Sequence, residues 1–357
     1  SFHREFVLGP KLGQGSFGSV YIARSRAVGR DVPDVAVKVI DPRTKDEKGR
    51  RTNTVSRSVQ RAVDREVAIL QLLPRSPNVI QFHGLYTGGD LVYMVMERCS
   101  LRLLQMFERM LVLTEANMKV VLRDMACALA ACHAAGIVHR DVKPDNFLAT
   151  AKFGKEGFAV KLCDFGLASA VSSPDSAELT GSFGTPPYMA PELLGGRRYS
   201  ASVDVWALGV VAYVLLLGTW PYMPKVLSGA KMKDAIQCGK SKPQFRSFTG
   251  CPAASADSAA WLRALLERDP RDRLSAQEAL KHPNFLRPWN EGVSIARTLE
   301  SAKRHGAFEI LSRRERREPR DTDLDRLLAR LNTQCRRRDL GVSEASTQAS
   351  SETCAGR

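Results

Sequence analysis

The chain has 357 residues, 44% hydrophobic and 25% charged, long enough for one large bilobal unit or two domains and too apolar for a chain that cannot bury a core. Lys and Arg number 53 against 38 Asp and Glu, a net charge of +15; this favours anionic partners, but no nucleic-acid reader motif accompanies it, so no specific nucleic-acid role is expected. The 8 cysteines are scattered, with no C-x-x-C pair and no zinc-type Cys–His spacing, so neither a disulfide framework nor a zinc site is implied and reduced thiols in a cytoplasmic or nuclear protein are expected.

The first residues, "SFHREFVLG", hold no signal-peptide apolar region and no Met, which leaves open whether the chain is a fragment. From Phe6 to Ile40 the runs "FVLGPKL", "GSVYIAR" and "DVAVKVI" alternate with glycine-rich and charged turns, as in an antiparallel meander. Asp41 to Arg61 is polar, basic and free of aromatics, which predicts an exposed, poorly ordered insert. Val63, Val67 and Leu70 then recur at helical spacing. "NVIQFHGLY" and "LVYMVME" read as two strands joined at the hairpin-type turn "TGGD".

After Glu97 the pattern turns helical, through "TEANMKVVLRDMACALAACHAAG", the Asp204 segment and "SAAWLRALLERD". The most apolar run, Val205 to Trp220, is shorter than a membrane span and follows Asp204, so a buried core helix is expected there. The predicted boundary between a small β-rich lobe and a larger helical lobe lies near Glu97 to Ser100. Beyond Trp289 the tail, 290–357, is Arg-rich and reads as largely disordered. Within it Leu324, Leu327, Leu328 and Leu331 mark a candidate amphipathic helix over 321–335.

Four motifs carry chemistry. In "LGQGSFGSV", Leu12 to Val20, glycines at Gly13, Gly15 and Gly18 let backbone N–H groups close on phosphates. Alone this is ambiguous, but the loop leads into a strand and not into the helix of a dinucleotide fold. Lys38 sits mid-strand among apolar neighbours, suited to a cation held against phosphates. Glu66 is the first choice for its carboxylate partner and Asp64 the second. "HRDVKPDN" and "KLCDFGLAS" add Asp141, Lys143, Asn146 and Asp164. One amide and one carboxylate suit Mg²⁺, which takes hard oxygen ligands. Asp141 is left to accept a proton from a hydroxyl, and Lys143 to stabilise charge.

With "APE" at Ala190 to Glu192, these motifs occur in the order of the eukaryotic protein kinase family, which the sequence resembles from about Phe6 to Trp289. The resemblance implies an α+β, bilobal protein kinase fold over 6–289, with an N-lobe at 6–97 and a C-lobe at 101–289. It implies ATP and Mg²⁺ as cofactors and protein substrates as partners. ATP contacts then fall on Leu12, Gly13, Gln14, Gly15, Ser16, Phe17, Gly18, Ser19 and Val20, on Ala36, Lys38 and Glu66, on Met96 as gatekeeper, on the Glu97 and Cys99 backbone, and on Leu148. Asn146 and Asp164 hold the metal. Asp141 is the base, aided by Lys143, Lys38 and Thr185.

Lys143 and "GTPPYMAPE" mark the serine/threonine type, with Thr185 contacting Asp141 and Lys143. By the same resemblance Asp204 anchors the catalytic-loop backbone, Arg273 pairs with Glu192, and His139 packs on Phe165. "LKHPNF" is closest in character to the calcium/calmodulin-dependent group.

Three departures matter. The Lys38 to Glu66 separation is longer than usual. Gly181 stands where many relatives carry a phosphorylatable threonine, so an upstream kinase would act at Thr180 or Ser182, with Arg140 gripping the phosphate. The stretch "RCSLRLLQ" has no acidic residue to hold a substrate arginine, which favours neutral or acidic substrates. Two other functions compete with an active enzyme: a pseudokinase-like scaffold, and an interaction protein acting through its tail. Ile295 and Phe308 have a calmodulin-target spacing, against which Glu300 and Gly306 disfavour a helix.

Overall fold

The computed structural model describes residues 1–15, 18–27, 33–46, 51–110, 113–224, 226, 228–240, 242–245, 254–283 and 295–305. Among them the chain divides into two units, one of residues 1–59 and 84–95, the other of residues 60–83 and 96–305.

In the first unit a single turn, α1 (Phe2–Glu5), leads into β1 (Phe6–Gln14), β2 (Ser19–Ser25) and β3 (Val35–Ile40). Successive neighbours pair antiparallel, as the alternating runs predict. Next in the chain come β4 (Arg43–Lys45), β5 (Arg51–Val55), α2 (Arg57–Leu72), which belongs to the second unit from Gln60 on, β6 (Phe82–Gly88) and β7 (Leu91–Glu97). The five-stranded sheet has the order β1-β2-β3-β7-β6.

Period-two alternation sends Val35, Val37 and Val39 to one face, where they pack with Tyr21, Ala23, Leu91, Tyr93 and Val95. Each such aliphatic side chain stabilises the unit by about 1.5–3 kcal/mol. The opposite face receives Val20, Ala36 and Lys38, because Val20 pairs with Lys38 and Ile22 with Ala36. Phe2 closes the core from outside the predicted strands. It is fully buried, stacked on Tyr93 at 4.2 Å and on Phe6 at 5.3 Å, while His3 Nε2 and the Tyr93 hydroxyl are 3.0 Å apart.

Over Asp41 to Asp46 and Arg51 to Arg61 the structure corrects the expectation of a poorly ordered insert; residues 47–50 lie outside the described residues. β4 and β5 form an antiparallel ribbon, and α2 begins at Arg57. The cause is a buried carboxylate. Asp41 accepts the Arg43 backbone N–H at 3.1 Å and its Nε at 2.9 Å; Arg43 Nη2 lies at 2.8 Å and Arg51 Nε at 3.4 Å. The threonine hydroxyls of Thr44 and Thr52 also meet across the ribbon.

In the second unit the inner face of α2 buries Val63, Glu66, Val67, Ile69 and Leu70. There follow β8 (Leu101–Arg102), α3 (Leu103–Glu108) and α4 (Glu115–Ala134). Thr114 caps α4, its hydroxyl accepting the Asn117 N–H at 3.2 Å. Four short strands, β9 (Ile137–Val138), β10 (Phe147–Ala149), β11 (Val160–Leu162) and β12 (Ser169–Ala170), pair as β11-β10-β8 and β12-β9. The remaining helices are α5 (Pro191–Leu194), α6 (Ser202–Leu217), α7 (Gly229–Cys238), α8 (Ala256–Leu265), α9 (Ala276–Lys281) and α10 (Ala296–Arg304).

α6 is buried from Val203 to Leu217, a core helix that is apolar all round. Among the described residues no helix is long and apolar enough to cross a membrane. Arg273 reaches Glu192 through Nη1 at 2.7 Å and Nη2 at 3.1 Å, the expected pair.

α10 adds an ordered element to the region beyond Trp289, most of which lies outside the described residues: residues 295–305 are docked, and the helix runs through Glu300, which the sequence reading expected to disfavour a helix. Ile295 donates its N–H to the Leu113 carbonyl at 2.7 Å, Thr298, Ser301 and Ala302 are buried where the helix packs on α6, and Trp220 donates to the His305 carbonyl at 3.2 Å. Glu300 is on the exposed side, so its charge costs the helix nothing. The candidate helix over 321–335, together with Gly306 and Phe308, lies outside the described residues.

Candidate active site

In the first unit, Lys38 is buried in the middle of β3. The glycine turn comes up to it: a Cβ on Gly15 would sit 3.9 Å from Lys38 Cε. Gly15 N–H also donates to the Gly18 carbonyl at 2.7 Å, closing the turn on itself. Gly18 has a packing role that its motif does not reveal, since a Cβ there would fall 2.2 Å from the Val39 carbonyl oxygen. Leu12, Gly13 and Gln14 end β1, and Ser19 and Val20 begin β2; the Ser19 hydroxyl donates to Gln14 Oε1 at 3.1 Å. Ser16 and Phe17 lie outside the described residues.

The second unit holds the acidic groups. Helical period turns Glu66 inward and leaves Asp64 exposed, where it accepts from Gln60 at 2.8 Å. A Cβ on Gly166 would lie 3.4 Å from Asp164 Oδ1 and 3.5 Å from Glu66 Oε2, so both carboxylates converge on the D-F-G turn. Met96, Glu97, Cys99 and Leu148 are half-buried. Glu97 Oε1 accepts the Gln81 N–H at 2.6 Å and pairs with Lys161 at 2.9 Å, and its own N–H goes to the Gln81 carbonyl. That side chain holds the strand. Burial, with a contribution from Glu97, pushes the Cys99 thiol up to about 12.

Asp141, Lys143 and Thr185 form a closed triangle. Lys143 Nζ donates to Asp141 Oδ2 at 2.6 Å and to Thr185 Oγ1 at 3.0 Å, and the Thr185 hydroxyl donates to Asp141 Oδ1 at 2.8 Å. The loop backbone is fixed from below by Asp204, whose Oδ2 accepts the His139 N–H at 2.7 Å and whose Oδ1 accepts the Arg140 N–H at 2.8 Å. Burial pushes the Asp204 carboxyl up, but the hydrogen bond and charge of His133, with the His139 ring and N–H, outweigh it and hold the group below its ordinary value.

His139 is structural. Its Nδ1 accepts the Asp141 N–H at 3.3 Å, so Nε2 carries the proton and donates to the Cys163 carbonyl at 3.0 Å. Its ring meets Phe165 edge-on at 5.0 Å.

Asn146 Nδ2 donates to the Asp141 carbonyl at 2.8 Å, which fixes the amide and reserves Oδ1 as an acceptor. With the Asp164 carboxylate this is a hard-oxygen pair, a donor set that fits Mg²⁺ supplemented by phosphate and water. Among the described residues no cluster of three or more His, Cys, Asp or Glu could hold a metal ion, so a site here depends on the amide and on phosphate oxygens.

Three features escape the motifs. Arg140 and Asp164 hold positive φ angles of 67° and 61°, strain of about 1–3 kcal/mol each that the surrounding bonds must sustain. Tyr188 is buried against Trp220 at 5.5 Å, and burial pushes its hydroxyl far above the usual range, helped by Asp145 and Asp141. Phe183 covers the Arg140 guanidinium. Only the aromatic residues themselves, near the "APE", could have signalled these contacts.

The protein kinase domain family model matches residues 6–285. CDPK-related kinase 8 of Arabidopsis thaliana is 36% identical over 298 residues, 82% of this chain and 46% of the relative. The calcium/calmodulin-dependent serine/threonine-protein kinase 1 of Oryza sativa subsp. japonica is 36% identical over 286 residues, 79% of this chain and 44% of the relative. Serine/threonine-protein kinase PEPKR2 of Arabidopsis thaliana is 34% identical over 284 residues, 79% and 53%. The chain thus spans about half the length of the curated relatives it matches. It belongs to the protein kinase family, and within that family to the serine/threonine type.

Proposed function

We propose that the chain is an ATP- and Mg²⁺-dependent kinase that transfers the γ-phosphoryl group to serine and threonine hydroxyls of protein substrates. The observation that carries this reading is the Asp141–Lys143–Thr185 triangle. Two donors hold the carboxylate of Asp141 in one orientation, where it accepts the proton of an incoming hydroxyl as that oxygen attacks phosphorus. Lys143 offsets the charge spread over the transferred phosphoryl oxygens. Lys38 is the cation for the α- and β-phosphates, and Val20, Ala36 and Leu148 are the apolar surfaces for the base, with Met96 as gatekeeper. Asn146 and Asp164 would hold the magnesium ions, which when bound neutralise charge on the phosphates.

The stretch after the hinge, Arg98 to Gln105, carries no acidic side chain, which with the net charge of +15 supports a preference for neutral or acidic sequences over arginine-rich ones. A positional-scanning peptide array reads this directly; selection of Arg three residues before the acceptor would contradict it. A calmodulin response has less support, since Ile295, one of its two anchor positions, is buried. For the activity itself, wild-type chain incubated with labelled ATP and mixed protein substrates is expected to label serine and threonine; equal labelling by Asp141→Asn would count against the reading, and no labelling by wild type would favour a scaffold.

A further inference from the structure

The side chain of Arg140 is held along one edge and on one face by groups of its own unit. Its Nε donates to the Leu167 carbonyl at 2.6 Å, and Nη2 lies 3.5 Å from the Ala168 carbonyl. The face of the guanidinium is covered by Phe183, with Cζ 4.5 Å from the ring centroid. Two glycines shape the seat. Gly181, at φ 90°, leaves room for the ring, because a Cβ there would meet it at 2.7 Å; Gly184, at φ 105°, presses on the Arg140 carbonyl, which a Cβ would strike at 2.5 Å. The next residue is Thr185, whose hydroxyl donates to Asp141. Ring, arginine and catalytic triangle are therefore joined through three consecutive residues.

We propose that Phe183 is a positioning residue: by clamping Arg140 with its ring, it holds the segment that presents Thr185 in working shape with no phosphate on Thr180 or Ser182. This rests on the kinase reading above and adds to it a mode of regulation. A guanidinium is drawn to the negative face of an aromatic ring, and here the same arginine also points Nε and Nη2 at main-chain carbonyls. A phosphoryl group on Thr180 or Ser182 would have to displace the ring or use the remaining edge of the fork. The aromatic ring thus performs, without charge, the task that an arginine-bound phosphate performs when the segment is modified. Phe183 is 39% exposed, so replacing it leaves the core intact.

The test uses the full chain, treated with phosphatase and checked by mass, as wild type, Phe183→Leu and Phe183→Trp. Two quantities are read: phosphoryl transfer to a protein substrate, split into kcat and KM for ATP, and amide hydrogen exchange over residues 179–185. Dephosphorylated wild type is expected to turn over and to protect the segment. Phe183→Leu should lower kcat by about 5- to 30-fold with KM for ATP changed by less than about twofold, and should speed exchange. Phe183→Trp should restore both. The proposal is overturned if the dephosphorylated protein is inactive until Thr180 or Ser182 is phosphorylated, if Leu matches wild type in exchange, or if Trp fails as Leu does. Should no form transfer phosphate while exchange still follows the ring, the kinase reading falls and the clamp stands.

Discussion

Asp204 shows how one buried carboxylate sets up chemistry it does not touch. It accepts two consecutive backbone N–H groups, those of His139 and Arg140, and also meets His133 Nε2 at 3.0 Å, so Arg140 can occupy its left-handed conformation and aim Asp141 at Lys143 and Thr185. Asp204→Ala leaves buried donors without an acceptor and should cost about 3 kcal/mol in urea unfolding, with loss of activity well below the midpoint. The acid side follows from linkage. Because the folded carboxyl titrates below its ordinary value of 3.8, its contribution to stability is full above that value and is lost as pH falls through the lower folded one. The wild-type urea midpoint should therefore fall on acidification from pH 5 to pH 3, and Asp204→Asn should flatten that dependence. Cys99 gives a chemical check at the same scale: with its thiol pushed up to about 12, it should resist alkylation at neutral pH while the exposed Cys238 reacts first, as peptide mapping will show.

At the scale of elements, the sequence made legible what periodicity and fixed spacing encode, and missed what distant packing decides. Strand alternation in β1 to β3, the inward turn of Glu66 and the uniformly apolar α6 are local patterns, and the motif spacings carry Asp141, Lys143, Asn146 and Asp164. The ribbon β4–β5 was hidden because its order comes from one buried ion pair cluster around Asp41, which composition reads as a polar loop; alternating β-branched Thr52 and Thr54 were the available signal. α10 was hidden because its inner face is made of small and polar residues, although Ile295, Thr298, Leu299 and Ala302 recur at i, i+3, i+4 and i+7. Its burial predicts that a chain ending at Trp289, which uncovers Gly218, Trp220 and the end of α6, melts several degrees lower than the full chain by scanning calorimetry. Equal melting temperatures would show that α10 contributes nothing to the domain.

For the whole molecule, the fold reduces to a sheet unit that carries Lys38 and the glycine turn, and a helical unit that carries the acid, the amide and the segment bearing Phe183 and Thr185. The net charge of +15 acts at this scale on association with anionic partners and is screened by salt, so the apparent KM for an acidic protein substrate should rise with ionic strength while kcat holds. The proposed activity depends on one act, removal of a hydroxyl proton by Asp141 while Lys143 and Thr185 hold it in place. The most direct measurement is steady-state transfer of labelled phosphate from ATP to a protein substrate by full-length wild type and Asp141→Asn, with phosphoamino-acid analysis of the product. Phosphoserine and phosphothreonine from wild type, with kcat reduced at least about 100-fold in the variant, is the predicted result; transfer undiminished in Asp141→Asn, or product confined to phosphotyrosine, would contradict it.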